Sequence, residues 1–588
     1  MQTQQKYDVV ILGAGIGGSM LAAILAKHGV KVLILEAESH PRFTIGEATT
    51  PDTNFRLKLL SLKYGIPEIM NLSAFHQLRD TVSPASGVKR AFSFLYQRKD
   101  QALNAKETHQ YPTLAPPMGP DCHLFRQDTD AYMLAVAVQY GADVRQQTRI
   151  ADIDLPGDGV RLTSVRGEVF EGSYLVDATG FKSATADKLN LRDDLTRHRT
   201  NSRAIFTHMV GVRHYDNMMQ PVRKHGLLYP LSQSTLHHVF PGGWCWVIPF
   251  NNHRESTNPL CSVGLVLNRE IHPESGKDPE TEFREYIAQF PEMEQQFRNA
   301  KAVRNWVSTG RLQYGAKNIS GPRYCLLSHA AGFVDPLFSS GLVLTTAMVD
   351  LLSKQLIACV KSNDFSEKKF VHIDNFFQSS IRNFDEVVAS SFVSFRDFEL
   401  WDAWFRVWVV ALLLGTCLNA NLYLKYLETG DLSILDWCEE EPYTGVLGLQ
   451  FKPFRALYDK ALAEMDAVRD GHRDPKDAAR AIRGMMKSLS YLPDYFKWHA
   501  MESRTTPAFT VSGITRMYFW YRLFAPAEVK KVLFDWSPFT AYRYVLSMLW
   551  ENWRLSRRRS RGFARDTFKA WNQDYAVVNP SIAKSTQG

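Results

Sequence analysis

The first 36 residues alternate between apolar runs and a glycine-rich turn. Residues 7–12 form a β-branched apolar run that is typical of a buried parallel strand, and residues 20–26 are apolar at helical spacing. The turn separates these two runs, and a second apolar strand, residues 32–35, ends at Glu36, roughly 20 residues after the turn. This pattern predicts a strand, turn, helix and strand arranged as in dinucleotide-binding folds.

The glycine positions in the turn carry the prediction of a dinucleotide ligand. Gly13 permits the tight turn, Gly15 lets the backbone approach a pyrophosphate, and Gly18 lets the helix pack closely on the strand. The phosphates would lie at the helix N-terminus, and Glu36 would accept hydrogen bonds from ribose hydroxyls. A glycine turn without a ligand is the alternative. The predicted contacts in this unit are Gly13, Ala14, Gly15, Gly17, Gly18 and Glu36.

The rest of the chain divides into a sheet-rich part and a helical part. Short apolar stretches predict further strands at residues 174–180, 203–212, 237–250, 260–267 and 324–327. After about residue 370 the pattern becomes helical, in the aromatic-rich residues 376–405 and again at 475–492, which Asp474 opens as a cap. We therefore predict an α/β fold with a Rossmann-like domain in residues 1–370, a sheet-rich substrate portion inserted at about 200–300, and a helical region in residues 371–588 that covers the substrate pocket.

Composition places the chain among ordinary globular proteins. Of its 588 residues, 45% are apolar and 22% charged, which excludes disordered, collagen-like and disulfide-framework classes. The seven cysteines lie far apart without zinc-type spacing, and residues 9–18 lack a cleavage-type site, so we predict reduced thiols, no metal and a cytoplasmic protein. The uncharged stretch at residues 407–424 is strongly apolar over only about half a membrane-spanning length, which predicts a buried helix.

Three later segments resemble the FAD-monooxygenase-like family. They contain Arg126 and Asp130, then residues 178–180, and then residues 332–336. The resemblance implies an arginine near the pyrophosphate, closure of the adenosine side, and backbone amides against a flavin ring. It favours FAD over NAD and implies four more cofactor contacts, Ala48, Arg126, Asp335 and Leu342. The chain departs from the family at Ser328-His329, where Gly-Asp is usual and the Asp binds ribitol hydroxyls.

Two motifs narrow the resemblance to flavin-dependent halogenases. Residues 244–249 read Trp-Cys-Trp-Val-Ile-Pro, similar to the signature of that family, and residues 45–51 resemble the segment after its first βαβ unit. On a strand, Trp244 and Trp246 point to the same face. In the family this wall stands beside the flavin and keeps organic substrate from the flavin hydroperoxide, so that halide reacts with it. The alternative is a pair of core tryptophans.

The family's other mark is a lysine between the flavin and the substrate pocket, which holds or carries hypohalous acid, HOX. Lys89 matches that position, with Gly87 before it and Phe94 after it. Arg90 is a poorer candidate, because a guanidinium stays protonated whereas a partly buried amine can lose its proton and act as a nucleophile. Without this register, Lys89 would be interpreted as a surface charge.

The segment at residues 336–341 is the predicted halide site. It opens a predicted helix at residues 342–352, where free N–H groups and the helix dipole favour an anion. Ser340 and Gly341 match the halide-binding backbone positions of the family. The tryptophan-specific branch has a glutamate just before this motif, and Phe338 takes its place here. The resemblance is therefore to the branch that acts on phenols and pyrroles, whose electron-rich rings need less activation.

Taken as a whole, the resemblance implies an enzyme, a halogenase that uses FADH2, O2 and chloride or bromide. The expected partners are a separate flavin reductase and an organic small-molecule substrate, with no nucleic acid and no membrane span. A single-component FAD hydroxylase and a non-catalytic flavin-fold binding protein are the alternatives.

The net charge of +8 is concentrated near the end of the sequence. Residues 551–588 hold eight Lys or Arg against three Asp or Glu, with a dense basic run from Arg554 to Arg565. A solvated helix end is the simple interpretation. Because phenol- and pyrrole-type halogenases often receive substrates on acidic acyl-carrier proteins, the run is also a candidate docking surface for such a carrier.

Overall fold

The strands of this protein form two large sheets and one two-stranded pair. A computed structural model describes residues 6–194, 197–218, 226–439 and 445–558. In chain order its strands are β1 (Lys6–Leu12), β2 (Val32–Leu35), β3 (Gly87–Lys89), β4 (Ala91–Tyr96), β5 (Thr108–Pro112), β6 (Asp121–His123), β7 (Asp143–Arg145), β8 (Ile150–Asp154), β9 (Val160–Ser164), β10 (Val169–Asp177), β11 (Ser202–Val210), β12 (Ser234–Phe240), β13 (Gly243–Pro249), β14 (Cys261–Asn268), β15 (Lys301–Ala302), β16 (Val307–Ser308), β17 (Ser320–Gly321) and β18 (Tyr324–Leu326).

Helices lie between the early strands and make up the C-terminal part. In chain order they are α1 (Ile16–Lys27), α2 (Pro51–Tyr64), α3 (Pro67–Met70), α4 (Phe75–Thr81), α5 (Arg126–Gln139), α6 (Ala184–Lys188), α7 (Pro279–Ile287), α8 (Pro291–Phe297), α9 (Gly341–Ser362), α10 (Val371–Ser394), α11 (Phe398–Thr429), α12 (Lys452–Arg469), α13 (Pro475–Lys487), α14 (Val511–Leu523), α15 (Ala527–Leu533) and α16 (Pro538–Arg558).

The first sheet contains the predicted dinucleotide unit. Its main path is β17, β18, β10, β1, β2 and β7, and β1 runs parallel to both β10 and β2. Val9 and Ile11 of β1 face the main core with α1, whereas Val10 and Leu12 face a second cluster with Leu162 of β9. Because both faces of β1 are covered, nearly all of its residues are apolar. The predicted strand, turn, helix and strand are confirmed.

The second sheet is larger than the predicted insertion. Its path is β15, β11, β14, β13, β12, β4 and β5, and only the β12–β4 pair on that path is parallel. Two of its strands, β4 and β5, come from residues 91–112, so the sheet extends beyond the sheet-rich portion predicted at about 200–300. The predicted strand at 237–250 is two strands, because Gly242 adopts a left-handed φ of +86° and reverses the chain between β12 and β13.

From Val371 onward, every regular element in the described residues is helical. The predicted helical stretch at 376–405 divides into α10 and α11 because Asp397 caps α11. Its carboxylate accepts hydrogen bonds from the backbone N–H groups of Glu399 and Leu400 at 2.9 and 3.1 Å. The predicted cap at Asp474 is confirmed, since its carboxylate accepts from Lys476 N at 2.9 Å at the start of α13.

Helices α9 and α11 are long and apolar enough to cross a membrane. Both nevertheless lie inside the fold, with 67% and 89% of their most apolar windows buried. The prediction of a buried helix at residues 407–424 is confirmed by α11. Six cysteines within the described residues are buried, free thiols.

The helical part shares one core with the rest of the chain. A single cluster of buried apolar residues extends from Val9 to Met548. Helix α11 packs on α2, α10 and α13, and its aromatic residues reach the face of β4, where the rings of Trp408 and Phe92 are 5.2 Å apart. This packing covers one face of the second sheet with the helical part, although that part lies hundreds of residues away in sequence.

Candidate active site

The turn between β1 and α1 requires glycine at two of the predicted positions. Gly13 has a φ of +95°, and a Cβ there would lie 2.7 Å from the Ala178 carbonyl oxygen. A Cβ on Gly18 would lie 2.3 Å from the Gly13 carbonyl oxygen, so this glycine allows the close helix–strand approach that the sequence predicts. At Gly15 the nearest atom to such a Cβ is Arg42 Nη2 at 3.7 Å, which leaves this backbone open to a ligand.

Gly17, also predicted to contact the cofactor, faces another helix. A Cβ on Gly17 would lie 2.8 Å from Thr345 Cγ2 of α9. The absence of a side chain at this position therefore allows α1 to pack against α9, and through it positions the start of α9 near the glycine turn.

Glu36 lies at the end of β2 beside the glycine turn, as predicted. Its Oε2 accepts a hydrogen bond from Ala14 N at 2.8 Å and one from Arg42 Nη2 at 3.2 Å. Burial raises the pKa of this carboxyl, but the Arg42 charge and the backbone N–H donors outweigh burial and lower the pKa overall. Glu36 is therefore held as a carboxylate, the form that accepts hydrogen bonds from ribose hydroxyls.

Arg126, at the first position of α5, joins two of the predicted segments. Its Nε and Nη2 donate to the two carboxylate oxygens of Asp130 at 2.7 and 2.9 Å, a bidentate pair. Its Nη1 donates to the carbonyls of Ile45 and Gly46 at 2.8 and 3.1 Å. The segment 45–51, which contains Ala48, therefore lies directly against the start of α5.

The start of α9 brings the predicted halide positions into a cleft. Ser340 precedes the helix without a side-chain cap, and the first N–H groups of α9, at Gly341 and Leu342, have no partner within the helix. A Cβ on Gly341 would lie 2.9 Å from His329 Nε2, so the residue at this position must be small. Ser340, Gly341 and His329 line one cleft of about 270 Å³, measured with its open mouth.

Asp335 lines the same cleft. Its carboxyl accepts hydrogen bonds from Ser202 Oγ at 3.1 Å and from Leu337 N at 3.0 Å. Burial raises the pKa of Asp335 to about 7. A carboxyl with this pKa can change protonation near neutral pH beside the predicted flavin site.

His329 occupies the position where the family usually has aspartate. Burial and the charge of Arg126 lower its pKa to about 4, so the imidazole is uncharged at neutral pH. A neutral imidazole has one donor and one acceptor nitrogen, and either can hydrogen-bond a hydroxyl. The departure from the family pattern therefore keeps a hydrogen-bonding group beside the cleft without a negative charge.

Lys89, predicted to carry HOX, is fully buried at the end of β3, so the alternative of a surface charge is wrong. Its Nζ donates to the Thr49 carbonyl at 2.7 Å and to Ser339 Oγ at 3.4 Å, and lies 3.5 Å from the centre of the Phe92 ring. Burial lowers the pKa of Lys89 to about 7. Arg90 points elsewhere, over the ring of Tyr229 at 3.9 Å.

Trp244 and Trp246 of β13 point to one face of the second sheet, as predicted, with ring centroids 5.7 Å apart. The indole of Trp246 lies over Gly264 of β14, where a Cβ would come within 2.1 Å of the ring. Its Nε1 donates to Ser262 Oγ at 3.2 Å. Both tryptophans are buried, and the missing side chain at Gly264 provides the space for the second indole.

A row of directly paired residues extends from this wall across six strands of the second sheet. Directly paired residues project to the same face, so the row forms one surface. His237 in this row stacks on Phe94 with centroids 4.2 Å apart. In order across the sheet the row reads Phe206, Gly264, Trp246, His237, Phe94 and His109.

Helix α11 closes this face with aromatic side chains that the sequence analysis did not assign to the site. Phe405 lies 5.0 Å from Phe94, and Trp408 stacks on Phe338 at 4.4 Å with an interplanar angle of 22°. We call Phe92, Phe94, Phe338, Phe405 and Trp408 the aromatic cluster. The alternation of Phe92 with Phe94 is the signal that could have identified its sheet side.

His109 and Asp402 join β5 to α11 next to the aromatic cluster. His109 Nε2 and Asp402 Oδ1 are 2.7 Å apart, and Arg406 Nη2 donates to the same oxygen at 2.8 Å. Burial alone raises the pKa of Asp402, but the His109 hydrogen bond and the Arg406 charge hold it well below its usual range. The sequence analysis missed both residues, because nothing in their spacing links positions 293 residues apart.

Comparison with known proteins places this geometry in a family. Residues 68–404 match the tryptophan halogenase family, and residues 11–80 match an NAD(P)-binding Rossmann-like domain. The chain is 38% identical over 543 residues to monodechloroaminopyrrolnitrin halogenase PrnC of Pseudomonas fluorescens, which covers 91% of this chain and 95% of PrnC. It is 39% identical over 492 residues to tetracycline 7-halogenase of Kitasatospora aureofaciens, covering 83% of this chain and 88% of that enzyme.

A solved structure agrees with the sequence relatives. The crystal structure of halogenase PltM in complex with phloroglucinol and FAD superposes with a TM-score of 0.82 at 33% identity, covering 85% of this chain and 99% of PltM. The glycine turn has an open backbone, Glu36 is a carboxylate and Arg126 is a cation, which are groups that fit a dinucleotide. FAD, the predicted cofactor, is therefore confirmed, and the family decides against the hydroxylase and non-catalytic alternatives. The chain belongs to the tryptophan halogenase family, and it is an FAD-dependent halogenase.

Proposed function

We propose that this halogenase converts chloride or bromide to HOX with FADH2 and O2, and that Lys89 passes the halogen to a phenol- or pyrrole-type substrate. One observation carries the proposal: the buried Lys89 amine lies between Ser339, in the turn before α9, and the Phe92 ring of the aromatic cluster. Reduced FAD, when bound, supplies with O2 the oxidising equivalent for the halide. The residues proposed to hold it are Gly13, Ala14, Gly15, Gly18, Glu36, Ala48, Arg126, Asp335 and Leu342, and Gly17 supports them by letting α1 pack against α9.

The halide would bind at Ser340 and Gly341. The N-terminus of the 22-residue helix α9 offers unpaired N–H groups and the positive end of its dipole to an anion. The neighbouring Ser339 hydroxyl is within reach of Lys89, so HOX formed near this turn would have a short path to the amine. Trp244 and Trp246 would exclude organic substrate from the flavin, because their adjacent, buried indoles form a bulky wall on one face of the second sheet.

The presence of Phe338 in place of a glutamate favours an electron-rich substrate. Where the tryptophan-specific branch has a glutamate, Phe338 stacks on Trp408 and offers no carboxylate to activate the electrophile or accept the ring proton. The substrate must then supply the electron density, as a phenol oxygen or a pyrrole nitrogen does. A ring carbon would attack the halogen on Lys89, and a C–X bond would form as the N–X bond breaks with its electron pair returning to the nitrogen. The ring proton would then leave to restore aromaticity, and the nitrogen would take up a proton to regenerate the amine. The phloroglucinol bound to PltM is such a ring.

The proposed partners are inferred from the reaction and from the positive charge of the basic run near the end of the sequence. The sequence holds one dinucleotide motif, so FADH2 would come from a separate flavin reductase in the cytoplasm. The basic run that begins at Arg554 is proposed to attract an acidic acyl-carrier protein, if the substrate arrives on one. Of this run, Arg557 lies 4.4 Å from the Trp553 ring, whereas residues 559–565 lie outside the described residues.

One incubation tests the reaction. The protein is mixed with FAD, a flavin reductase, NADH, bromide or chloride, and an electron-rich phenol or pyrrole, and products are analysed by mass spectrometry for halogen isotope patterns. We expect a halogenated product that depends on halide and on the reductase. A hydroxylated product without halogen, or reduction of the bound flavin by NADPH alone with no reductase, would contradict the proposal.

A further inference from the structure

A second buried lysine, Lys58, shares the neighbour Asp121 with Lys89 and takes no part in the reaction proposed above. Lys58 of α2 has no exposed surface, and its Nζ donates to Tyr544 Oη of α16 at 2.9 Å and to the Met118 carbonyl at 3.3 Å. Three residues after Met118, Asp121 begins β6 and is also fully buried. Asp121 is directly paired with Lys89 across the antiparallel β3–β6 pair, so the two side chains share one face.

Asp121 therefore interacts with two lysines. Burial raises the pKa of Asp121 to about 7, and the groups that favour its carboxylate form are Lys89, Lys58 and the side chain of Asn54. Two ammonium groups and one carboxylate would leave a net positive charge in a site without solvent, which is costly. The single Asp121 carboxylate can balance only one of the two ammonium groups.

Burial lowers the pKa of Lys58 to about 7, as it does that of Lys89, but Lys58 has a second carboxylate, Glu551, that favours its charged form. Its amine has two oxygen acceptors, the rings of Phe55 and Tyr544 at 5.2 and 5.6 Å, and the additional negative charge of Glu551 on α16. Acceptors and aromatic faces of this kind stabilise an ammonium group.

Lys89 also has two oxygen acceptors and the Phe92 ring, but Asp121 is the one carboxylate that acts on it among the described residues. Its titratable neighbours are Asp121, Cys122 and His123 on β6 and His237 on β12. Burial lowers the pKa of His123 and of His237 to about 3, so both are uncharged near neutral pH. Burial raises the pKa of Cys122 well above its usual value, so the thiol is also uncharged. Asp121 is thus the one negative charge available to Lys89 among these groups.

We propose that Lys58 is a positioning residue for Lys89: by balancing the Asp121 carboxylate, it allows Lys89 to be an uncharged amine. This rests on the proposed function, because it takes Lys89 to be the residue that receives HOX. An uncharged amine has the lone pair that attacks the halogen. The N–X bond forms as the O–X bond breaks, and the released hydroxide takes a proton from the nitrogen and leaves as water.

The test is the pH dependence of halogenation in two variants with opposite expected shifts. Lys58→Met leaves Asp121 with Lys89 alone, so Lys89 stays protonated to higher pH. We expect its rate at saturating substrate to fall about fivefold near neutral pH and to recover by about pH 9, a shift of about one unit. Asp121→Asn removes the negative charge, and its profile should move to lower pH.

Three further variants make the result decisive. Lys58→Arg keeps the charge and should keep the wild-type profile. Lys63→Met is the matched control, because Lys63 lies on the same helix but pairs with Asp350 at 2.9 Å away from the site. Lys89→Met should be inactive at every pH while still oxidising FADH2; if it halogenates, the proposed role of Lys89 fails, and the positioning role fails with it.

If Lys89→Met is inactive but Lys58→Met loses the same factor of activity at every pH, the positioning role alone is overturned. An unmoved profile in Asp121→Asn would overturn it as well. If Lys58→Met does not retain FAD, its pH profile cannot be measured. The direction in which the pH profile of Asp121→Asn moves then decides whether the positioning role stands.

Discussion

The amine of Lys89 lies 3.4 Å from the hydroxyl of Ser339, although 250 residues separate them in the chain. Ser339 adopts a φ of +56°, which is uncommon for a residue other than glycine. This conformation places its side chain toward β3 immediately before α9 begins. The proposed halide turn and the proposed halogen carrier are therefore in direct contact.

Lys89→Met is expected to abolish halogenation while FAD binding and oxidation of FADH2 continue, because the thioether side chain fills the same space but has no amine. Product formation by mass spectrometry and flavin absorbance measure the two effects. Lys106→Met, at an exposed lysine, is the control and should be fully active. Wild-type product yield from Lys89→Met would show that another group carries the halogen.

Gly341→Ala should raise the KM for halide by about tenfold, equivalent to about 1.4 kcal/mol of binding. The added Cβ would lie 2.9 Å from His329 Nε2 and would displace the turn that presents the free N–H groups. Initial rates at varied bromide measure the effect. As a control, Gly484→Ala in α13 meets nothing within 4 Å and should stabilise the protein by about 0.5–1 kcal/mol. An unchanged halide KM would place the anion elsewhere.

Trp246→Ala should still bind FAD, because the role proposed for this indole is to exclude organic substrate. Loss of a buried tryptophan should lower the free energy of unfolding by about 3–5 kcal/mol, measured by urea denaturation. Flavin titration follows binding at a temperature where the variant remains folded. A folded variant that no longer binds FAD would show that Trp246 holds the cofactor.

Gly264→Ala should destabilise the protein by about 1–3 kcal/mol, because its Cβ would overlap the Trp246 indole. In the Trp246→Ala background the same change should cost much less, since the indole is gone. This double-mutant cycle measures the coupling of the two positions. Additive effects would mean that the close packing of this pair does not contribute to stability.

Asp402→Asn should cost about 3–5 kcal/mol at neutral pH, because it leaves the buried Arg406 charge without its partner. The pKa of Asp402 is lower in the folded protein than in the unfolded chain. Its contribution to stability is therefore complete above the unfolded value of about 3.9 and is lost as the pH falls toward the folded value. Melting temperatures of the two proteins should converge below about pH 4, and a constant difference at all pH values would contradict this.

Reversal of Arg557, Arg558 and Arg559 to Glu should raise the KM for a carrier-bound substrate and weaken its salt dependence, because the basic run would no longer attract an acidic carrier. Turnover of a small free phenol should be unaffected. Arg480→Glu, at an exposed arginine of α13, is the control. An equal response of free and carrier-bound substrates would show that the run is not a docking site.

Local patterns were enough to predict the elements that depend on near neighbours. The glycine turn, β1, β2 and the Asp474 cap follow from steric and hydrogen-bonding rules that act within a few residues. The common face of Trp244 and Trp246 follows from the two-residue period of a strand. The break at Gly242 and the Asp397 cap are equally local, and the sequence analysis missed them because apolar residues continue on both sides.

Tertiary packing alone decided which distant residues share the site. Phe206, Trp246, His237 and His109 form one row only because strands from residues 91–112 pair with strands from 202–268. Lys58 and Tyr544 meet across 486 residues, and α11 covers a sheet that ends long before it begins. No spacing encodes such contacts. They result from burial of apolar faces in a shared core, which also removes water from Lys89 and so changes the chemistry of its amine.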